Sequence, residues 1–383
     1  MTRVLVISPV PGDASLEIAG PALRYRQLAD QLRRSGADVT LATRGPGGDA
    51  DWSRASPLEL ARGHAAVVCP QGLADEAAAL ARRLPLECAL VIDCYAPALV
   101  ERALLVPGDV RFASFRGRVL RALERADLLL VANQPQRVYT VGMLSALGRQ
   151  APERTSPAVL LAPMGAPAPG PRHSDPTKPL VLWYGGLWPW FDGATAVRGF
   201  ALATREHPQA RLRILGGRHP RGEAPDTLDE VLTTATALGV ADRIESLPWT
   251  SPAALPELLA EASCALCLAH DGIEHRLAQR TRLLDLLSAG VPIVCTQGDA
   301  LGARAVEAGA ATAIPAGDSE GAARALTALL GDADARRAQM QAGRRLATEL
   351  APEQTLAEAV QWLAAPTPSA SGWRARPLRR SRR

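Results

Sequence analysis

The sequence predicts two Rossmann-like, doubly wound α/β domains joined by a short linker, and three observations predict it. At 383 residues the chain is too long for one typical core and suits two units of roughly 150 to 180 residues. Short, continuous apolar runs alternate with amphipathic stretches along most of its length, the pattern of parallel strands covered by helices on both faces. Near the middle, APAPGPRHSDPTKP (residues 166–179) is crowded with proline and glycine and nearly free of apolar bulk, which marks a domain boundary.

The elements follow in order. VLVIS (4–8) reads as a first buried strand rather than a secretory leader, because the run stops at Pro9 and Pro11 with no small-residue cleavage site. A helical pattern from about Gly20 to Arg34 comes next, then DVTLAT, AAVVCP, ALVIDCY, ADLLLVAN and AVLLAPMG as strands, separated by Ala-, Leu- and Arg-rich helical segments. These form the first domain, residues 1–165. After the linker the rhythm resumes with LVLWYGG, RLRILGG, RIESLP, CALCLAH, PIVCT and ATAIP, followed by helices from about 319 to 331 and 332 to 350, giving a second domain over 180–350. PEQTLAEAVQWLAA supplies an amphipathic helix (351–365) expected to pack back on the first domain, and residues 366–383 form a basic tail expected to be disordered.

Composition narrows the function classes. No apolar run approaches the roughly 18 residues needed to cross a bilayer, and six cysteines are too few for a disulfide scaffold, so a cytoplasmic protein is expected. Cys264 and Cys267 make a C-x-x-C, but inside a strand-type run with no second pair and no paired histidines; two buried small residues fit better than a redox pair or half a zinc site. Net charge is +4, carried almost wholly by arginine, with Lys178 the only lysine; no nucleic-acid partner is expected.

In open α/β sheets ligands bind beyond the carboxyl ends of the strands, so the loops there hold the candidates. Gly185–Gly186 and Gly216–Gly217 sit at such ends, where a glycine lets backbone approach an anion, although a tight turn alone explains either pair. VLWYGGLWPWFDG (181–193) gathers five of the fifteen aromatic residues around the first pair. In EHRLAQRTRLLDLLSAGVPIVCTQGD, a helix from about Leu277 puts Thr281 and Asp285 on one face. Asp285 is then a carboxylate among leucines, costly unless it meets a donor such as a sugar hydroxyl or an arginine.

That segment, with LDLLSAGVP followed by TQGD, resembles the nucleotide-sugar binding segment of GT-B glycosyltransferases of the group-4 type. AGPALRYRQLADQL, IDCYAP, ADLLLVANQPQR, YGGLWPWFDG and AAGAATAIPAGD extend the resemblance over most of the chain. It implies two Rossmann-like domains facing across a cleft, and sugar transfer from a nucleotide-sugar donor held by the second domain to an acceptor on the first. The acceptor is a glycan, a lipid-linked sugar or a small molecule. No cofactor or metal is implied, and retention of configuration is expected, with the leaving diphosphate helping to remove the acceptor proton. The rivals are a sugar-nucleotide epimerase on the same plan and a non-catalytic scaffold.

The resemblance places Asp285, five residues before Gly290 of the G-x-P turn, at the ribose-binding acid, usually glutamate. It also exposes departures. Gly186 and Asp192 stand where relatives keep the arginine and lysine that grip the diphosphate, leaving Arg276, Arg280 and Arg282 as candidates for that task, against a solvated helix face. The other family acid falls on Leu277, so Glu274, or Asp271, is the candidate contact to the donor sugar. Gly20 and Pro21 correspond to the loop facing the transferred phosphate. Arg24 would touch donor phosphate or an acidic acceptor, or simply form a salt bridge. Asp93 and Tyr95, at the end of a first-domain strand, are candidate acceptor-site groups; His64 precedes a strand and is given no role. Asp93, Asp192 and Glu274 are thus the candidate catalytic residues, with Gly185, Gly186 and Trp188 on the donor side. Trp188 and Trp190 are expected to wall the cleft, while Asp192 binds a hydroxyl or caps the next helix. Finally, Arg111, Arg116, Arg118, Arg121 and Arg125, with Phe112 and Phe115, are a basic patch suited to peripheral contact with a membrane, or a solvated helix face.

Overall fold

The computed structural model describes residues 1–11, 20–149, 158–170, 179–218, 227–251 and 253–368. Lys178, the part of the linker over 171–178, residues 219–226 and the tail residues 369–383 lie outside them.

Two parallel sheets account for the two apolar rhythms of the sequence. The first contains β1 (Arg3–Ile7), β2 (Asp38–Thr43), β3 (Ala50–Asp51), β4 (Ala66–Pro70), β5 (Ala89–Asp93), β6 (Leu128–Val131) and β7 (Ala158–Leu161), in the order β3-β2-β1-β4-β5-β6-β7. The second contains β8 (Leu180–Tyr184), β9 (Arg211–Leu215), β10 (Ile244–Leu247), β11 (Cys264–Cys267), β12 (Ile293–Thr296) and β13 (Ala311–Ile314), in the order β10-β9-β8-β11-β12-β13. In both, the order reverses beside the first strand, between β1 and β4 and between β8 and β11, and a crevice opens at such a switch point.

The strands are continuous apolar runs because both faces are covered. Along β1, Val4 and Val6 join one core cluster and Leu5 and Ile7 another, on opposite sides of the sheet. A third cluster fills the second domain. All six cysteines are free and buried; burial pushes the Cys267 thiol up to about 11, and Cys264 and Cys267 serve as small β11 core residues.

Three local readings need correction. A two-residue edge strand, β3, lengthens the first sheet beyond the six strands expected. The closing segment is two helices, Pro352–Thr355 and Ala357–Ala364, broken at Leu356. Most important for the site, there is no continuous helix from Leu277. One short helix covers Ile273–Leu277, another covers Arg282–Ala289, and the chain between them is not helical.

After the long helix Ala333–Glu349 the chain leaves the second domain and returns to the first. Leu356, Ala359 and Leu363 complete the cluster that holds Val4, Val6 and Leu28, and Thr2 Oγ1 donates to the Ala364 carbonyl at 2.7 Å.

Candidate active site

The carboxyl end of β8, at the second sheet's switch point, is the centre of the site. Gly185 follows with φ +89°, a left-handed conformation, and a Cβ there would stand 3.2 Å from the Arg282 guanidinium. Glycine is therefore needed twice over, for the turn and for the approach of the cation. Arg282 begins the helix Arg282–Ala289; its Nη2 donates to the Gly186 carbonyl at 2.8 Å, and its guanidinium lies 3.8 Å from the Phe191 ring centroid and 5.7 Å from that of Trp183. No carboxylate among the described residues pairs with it, and its Nη1 is buried without a hydrogen-bond partner. Burial, with the neighbouring Arg280 charge adding to it, lowers its pKa to about 10. A guanidinium held this way keeps a charge that no neighbouring carboxylate compensates.

One turn further along that helix, Asp285 accepts a hydrogen bond from the Tyr184 hydroxyl at 3.0 Å. Desolvation raises the Asp285 carboxyl to about 6, and the Tyr184 bond offsets only part of that. Both side chains open onto a cavity of about 460 Å³ between the domains, with Leu23 and Gln27 on the first-domain side and Trp249 and Leu259 on the other. Trp249 is a residue that sequence reasoning missed. It sits in a loop after β10 with no motif around it, yet its ring packs 3.1 Å from where a Gly216 Cβ would be, and Nε1 donates to the Arg218 carbonyl at 2.6 Å. The Gly216 turn is thus shaped by an aromatic wall.

The other two candidate phosphate cations are already occupied. Arg280 makes two bonds to Glu274, at 3.0 and 2.7 Å, and both side chains are about 5% exposed. The pair is extended by His275, which receives Arg280 Nη2 at Nδ1 (3.2 Å) and so gives its Nε2 proton to the Gln297 carbonyl (3.0 Å). Burial, then the Arg280 charge, lowers the His275 pKa, consistent with a neutral ring. Glu274, expected to meet the donor sugar, is spent on this buried pair. Arg276 lies on the exposed side, 3.2 Å from Asp271, the alternative sugar contact.

The break between the two short helices has a tertiary cause. Asn133, the N-cap of the first-domain helix Gln134–Ala146, donates its amide to the carbonyls of Leu277 and Ala278, both at 3.1 Å. Gln136 donates to Leu277 and to the Tyr95 carbonyl, both at 2.7 Å. Carbonyls that would bond within a helix are instead claimed from the other domain, which fixes Arg280 to Arg282 at the cleft. Above them Glu101, on the first-domain helix Ala98–Leu105, is raised to about 7 by burial and then by the Glu274 charge, with Arg280 partly offsetting both.

On the first-domain side, Arg24 and Asp93 form a buried pair rather than two groups facing a substrate. Arg24 Nε and Nη2 donate to the two Asp93 oxygens at 2.6 and 2.7 Å, Nη1 donates to the Ala162 carbonyl at 2.7 Å, and both side chains are at most 2% exposed. Burial alone would lower the Arg24 pKa; the Asp93 charge and hydrogen bonds reverse that and raise it. Every strong donor of Arg24 is used, so neither residue is free to serve as phosphate contact or base in this arrangement. Tyr95 stacks on this guanidinium at 4.2 Å; its hydroxyl is buried without a hydrogen-bond partner, and burial raises its pKa, with Arg24 offsetting part of the rise and the Asp93, Glu101 and Asp285 charges adding to it. Gly20 begins the helix Gly20–Arg34, and a Cβ on it would meet Thr281 Oγ1 at 3.2 Å across the domain boundary.

Asp192 also has a structural task. It is the N-cap of the helix Gly193–Ala203, with Oδ1 accepting from the Thr195 amide at 2.9 Å, and it is 5% exposed, so of its two expected roles the structure presents the cap. Trp188 and Trp190 stack on each other with centroids 5.8 Å apart, but it is Trp249, not this pair, that lines the cavity. The basic patch is divided. Arg125 pairs with Asp127 at 2.7 Å, Arg118 with Asp75 at 3.0 Å, and Phe115 packs on the core, leaving Arg116 and Arg121 on the exposed side of the helix Phe112–Arg125. His64, on the far side of the strand it precedes, contacts Thr40.

Residues 178–332 match the family model of the glycosyl transferases group 1. No curated protein sequence matches at a significant level. Among solved structures, the chain is similar to the sucrose-phosphate synthase of Thermosynechococcus elongatus (16% identity, TM-score 0.71, covering 94% of this chain and 98% of that one). It is also similar to HepE of Anabaena in complex with UDP and glucose (14%, TM-score 0.72, 95% and 100%) and to WaaG, a glycosyltransferase involved in lipopolysaccharide biosynthesis (15%, TM-score 0.62, 94% and 100%). Paired parallel sheets, each with a switch point beside its first strand, and similarity to these structures over nearly the whole chain show the GT-B glycosyltransferase fold, and the stretch that carries Arg282 and Asp285 matches the glycosyl transferases group 1 model.

Proposed function

We propose that the protein is a glycosyltransferase of the group-4 type that moves a sugar from a nucleoside diphosphate donor to a hydroxyl acceptor, with retention and without a metal. The observation that carries this reading is the acid-free guanidinium of Arg282, its Nη1 buried and unbonded, one helical turn from the Asp285–Tyr184 pair on the wall of an interdomain cavity. A nucleoside fits that cavity with its ribose hydroxyls on Asp285 and its base against the apolar side near Trp249. The diphosphate then runs toward Arg282 and the amides of Gly185 and Gly186. Structures of HepE in complex with UDP-glucose and with UDP and glucose support uridine nucleotides as the first donors to test.

In the reaction the bond from the anomeric carbon to the diphosphate oxygen breaks while the acceptor oxygen bonds to that carbon on the same face. The acceptor proton passes to the departing diphosphate. This chain's part is orientation and charge: Arg282 stabilises the developing negative charge, which grows as the bond breaks, and its dry surroundings strengthen that effect. With Asp93, Asp192 and Glu274 all committed to internal bonds, none of these three carboxylates acts as general base. Metal-free charge compensation rests on Arg282 and the backbone amides at the end of β8. The closed cleft excludes water and limits donor hydrolysis.

Replacing Arg282 with methionine tests the reading. Loss of charged hydrogen bonds worth about 1.5–3 kcal/mol should weaken UDP binding by roughly 10- to 100-fold in calorimetry. The same change removes a buried unpaired charge and should not lower the melting temperature. Unchanged UDP affinity would reject Arg282 as the phosphate cation; no binding by the unaltered protein to any of UDP, GDP, ADP or dTDP would favour a scaffold. Product analysis with a mixed acceptor panel separates transfer from epimerisation of the free donor.

A further inference from the structure

A second cavity, of about 380 Å³, lies wholly within the first domain, away from the donor cavity. It opens at the carboxyl ends of β2 and β4, the strands that flank β1, and so at the switch point of the first sheet, where the topology rule places a ligand of its own. Four arginines from three separate segments line it: Arg44 after β2, Arg102 on the helix Ala98–Leu105, and Arg111 and Arg118 at the start and middle of the helix Phe112–Arg125. Such convergence differs from a solvated helix face, where the charges diverge.

The arginines are held in different ways. Arg102 is fixed by two bonds to Asp109, at 2.9 and 2.6 Å, and lies 5.6 Å from the Phe115 ring centroid. Arg118 donates Nη1 to Ser114 at 2.8 Å; its Nε is buried 3.0 Å from Asp75 but is not aligned for a hydrogen bond. Arg44 lies 5.5 Å from the Trp52 ring centroid with no carboxylate partner among the described residues, and Arg111 reaches Asp109 only at 3.8 Å. Two anchored and two loosely held cations therefore face one space. The floor is the start of the helix Ala74–Arg83, whose N-cap, Leu73, offers no side-chain cap.

Asp75 and Glu76 share the wall with the arginines. A bare anion would be repelled by them, whereas a ligand carrying both a phosphate and hydroxyl groups uses the whole lining: guanidinium forks for the phosphate, carboxylates for the hydroxyls, and the Phe115 and Trp52 edges for the ring carbons. We infer that this cavity binds the phosphate-bearing end of a phosphorylated sugar acceptor. The inference rests on the transfer reading above, which puts the acceptor on the first domain, and it narrows the acceptor to a phosphorylated class. The phosphate belongs either to a soluble sugar phosphate or to the head of a lipid-linked sugar.

Gly72 gives a steric test that leaves the charges in place. It lines the cavity, and a Cβ on it would meet no atom within 4 Å, so Gly72→Phe starts from open space and directs bulk to the cavity; an unchanged melting temperature checks that the fold is kept. Calorimetry on the full chain would use glucose 6-phosphate and mannose 6-phosphate against glucose, mannose and inorganic phosphate. A parallel flotation assay would use vesicles of phosphatidylcholine with one-fifth phosphatidylglycerol. The expected result is that a hexose phosphate binds at least tenfold more tightly than its parent hexose and than inorganic phosphate. That binding should fall at least tenfold in Gly72→Phe and in Arg44→Gln/Arg111→Gln, while UDP binding is unchanged. If neither hexose phosphate binds in solution, the same comparison with a short-chain polyprenyl phosphate sugar decides for the lipid-linked source. Hexose phosphates and the polyprenyl phosphate sugar all binding no better than hexoses, or variants binding like the unaltered protein, would overturn the inference. Binding confined to the vesicles would overturn it in favour of a membrane surface. Hexose phosphate binding without any nucleotide binding would instead sink the donor reading and leave the cavity assignment standing.

Discussion

Asp93 closes an apolar strand at the usual address of an acceptor-site group, and the structure seals it against Arg24. Asp93→Asn decides between the two roles. The change removes the negative partner of a guanidinium that is 2% exposed, and leaves that charge with the Ala162 carbonyl, the Tyr95 face and one amide oxygen. Breaking a buried pair from one side costs about 3–5 kcal/mol, and the retained amide oxygen puts this variant near the lower end. For a domain of this size each kcal/mol moves the midpoint by about 2–4 °C, so a fall of about 6–12 °C is expected in a thermal scan. Turnover measured well below that midpoint should stay within a few-fold of that of the unaltered protein. The double variant Arg24→Met/Asp93→Leu should recover most of the loss, because neither charge is then left alone. A midpoint within about 1 °C of the parent together with a hundredfold loss of turnover would refute the reasoning and return Asp93 to catalysis.

Two further predictions follow from the cleft. Desolvation lifts Asp285 from 3.8 to about 6, so the folded protein holds a proton that the unfolded chain releases, and stability should decline as pH rises through that window. UDP-glucose affinity should rise across the same window as the carboxylate forms, and Asp285→Asn should flatten both profiles; a pH-dependent affinity that survives the change would exclude Asp285. At the domain boundary, Asn133→Asp keeps the cap acceptor but loses the N–H groups given to Leu277 and Ala278. At about 1–3 kcal/mol for buried carbonyls left unbonded, the variant should show a larger radius of gyration by X-ray scattering and a donor KM raised more than kcat falls; unchanged scattering and KM would show that these bonds do not hold the cleft.

The legible parts of the molecule were those fixed by local burial. Strands covered on both faces announce themselves as unbroken apolar runs, and VLWYGG at β8 carried both the strand and its glycine turn. Asp285 was readable because a carboxylate among leucines requires a partner, although the partner, Tyr184, could not be named from spacing. What stayed hidden was decided from the other domain. Ala278 to Thr281 contains neither glycine nor proline, and nothing in it foretells a helix break. The cause lies some 140 positions earlier, at Asn133 and Gln136. The sorting of Arg276, Arg280 and Arg282 was hidden for a related reason: three arginines at similar spacing look alike until the acids that neutralise two of them are placed. Trp249 stands in the loop after β10, a strand end where ligands are sought, but no motif singled it out from its neighbours.

The return of Leu356, Ala359 and Leu363 to the first sheet bears on how the protein is made. Three side chains that close the cluster around β1 are supplied from the far end of the sequence, after the whole second domain. During synthesis the first domain emerges with part of an apolar face of that sheet covered only by the helix Gly20–Arg34, and the rest stays open while about 190 further residues are added, a span of roughly ten to forty seconds at ordinary elongation rates. The two domains therefore cannot mature strictly one after the other. The open part of that face is a natural holding point for a chaperone during the interval, and a chain cut before residue 356 is left with a lasting aggregation surface rather than a shorter working protein.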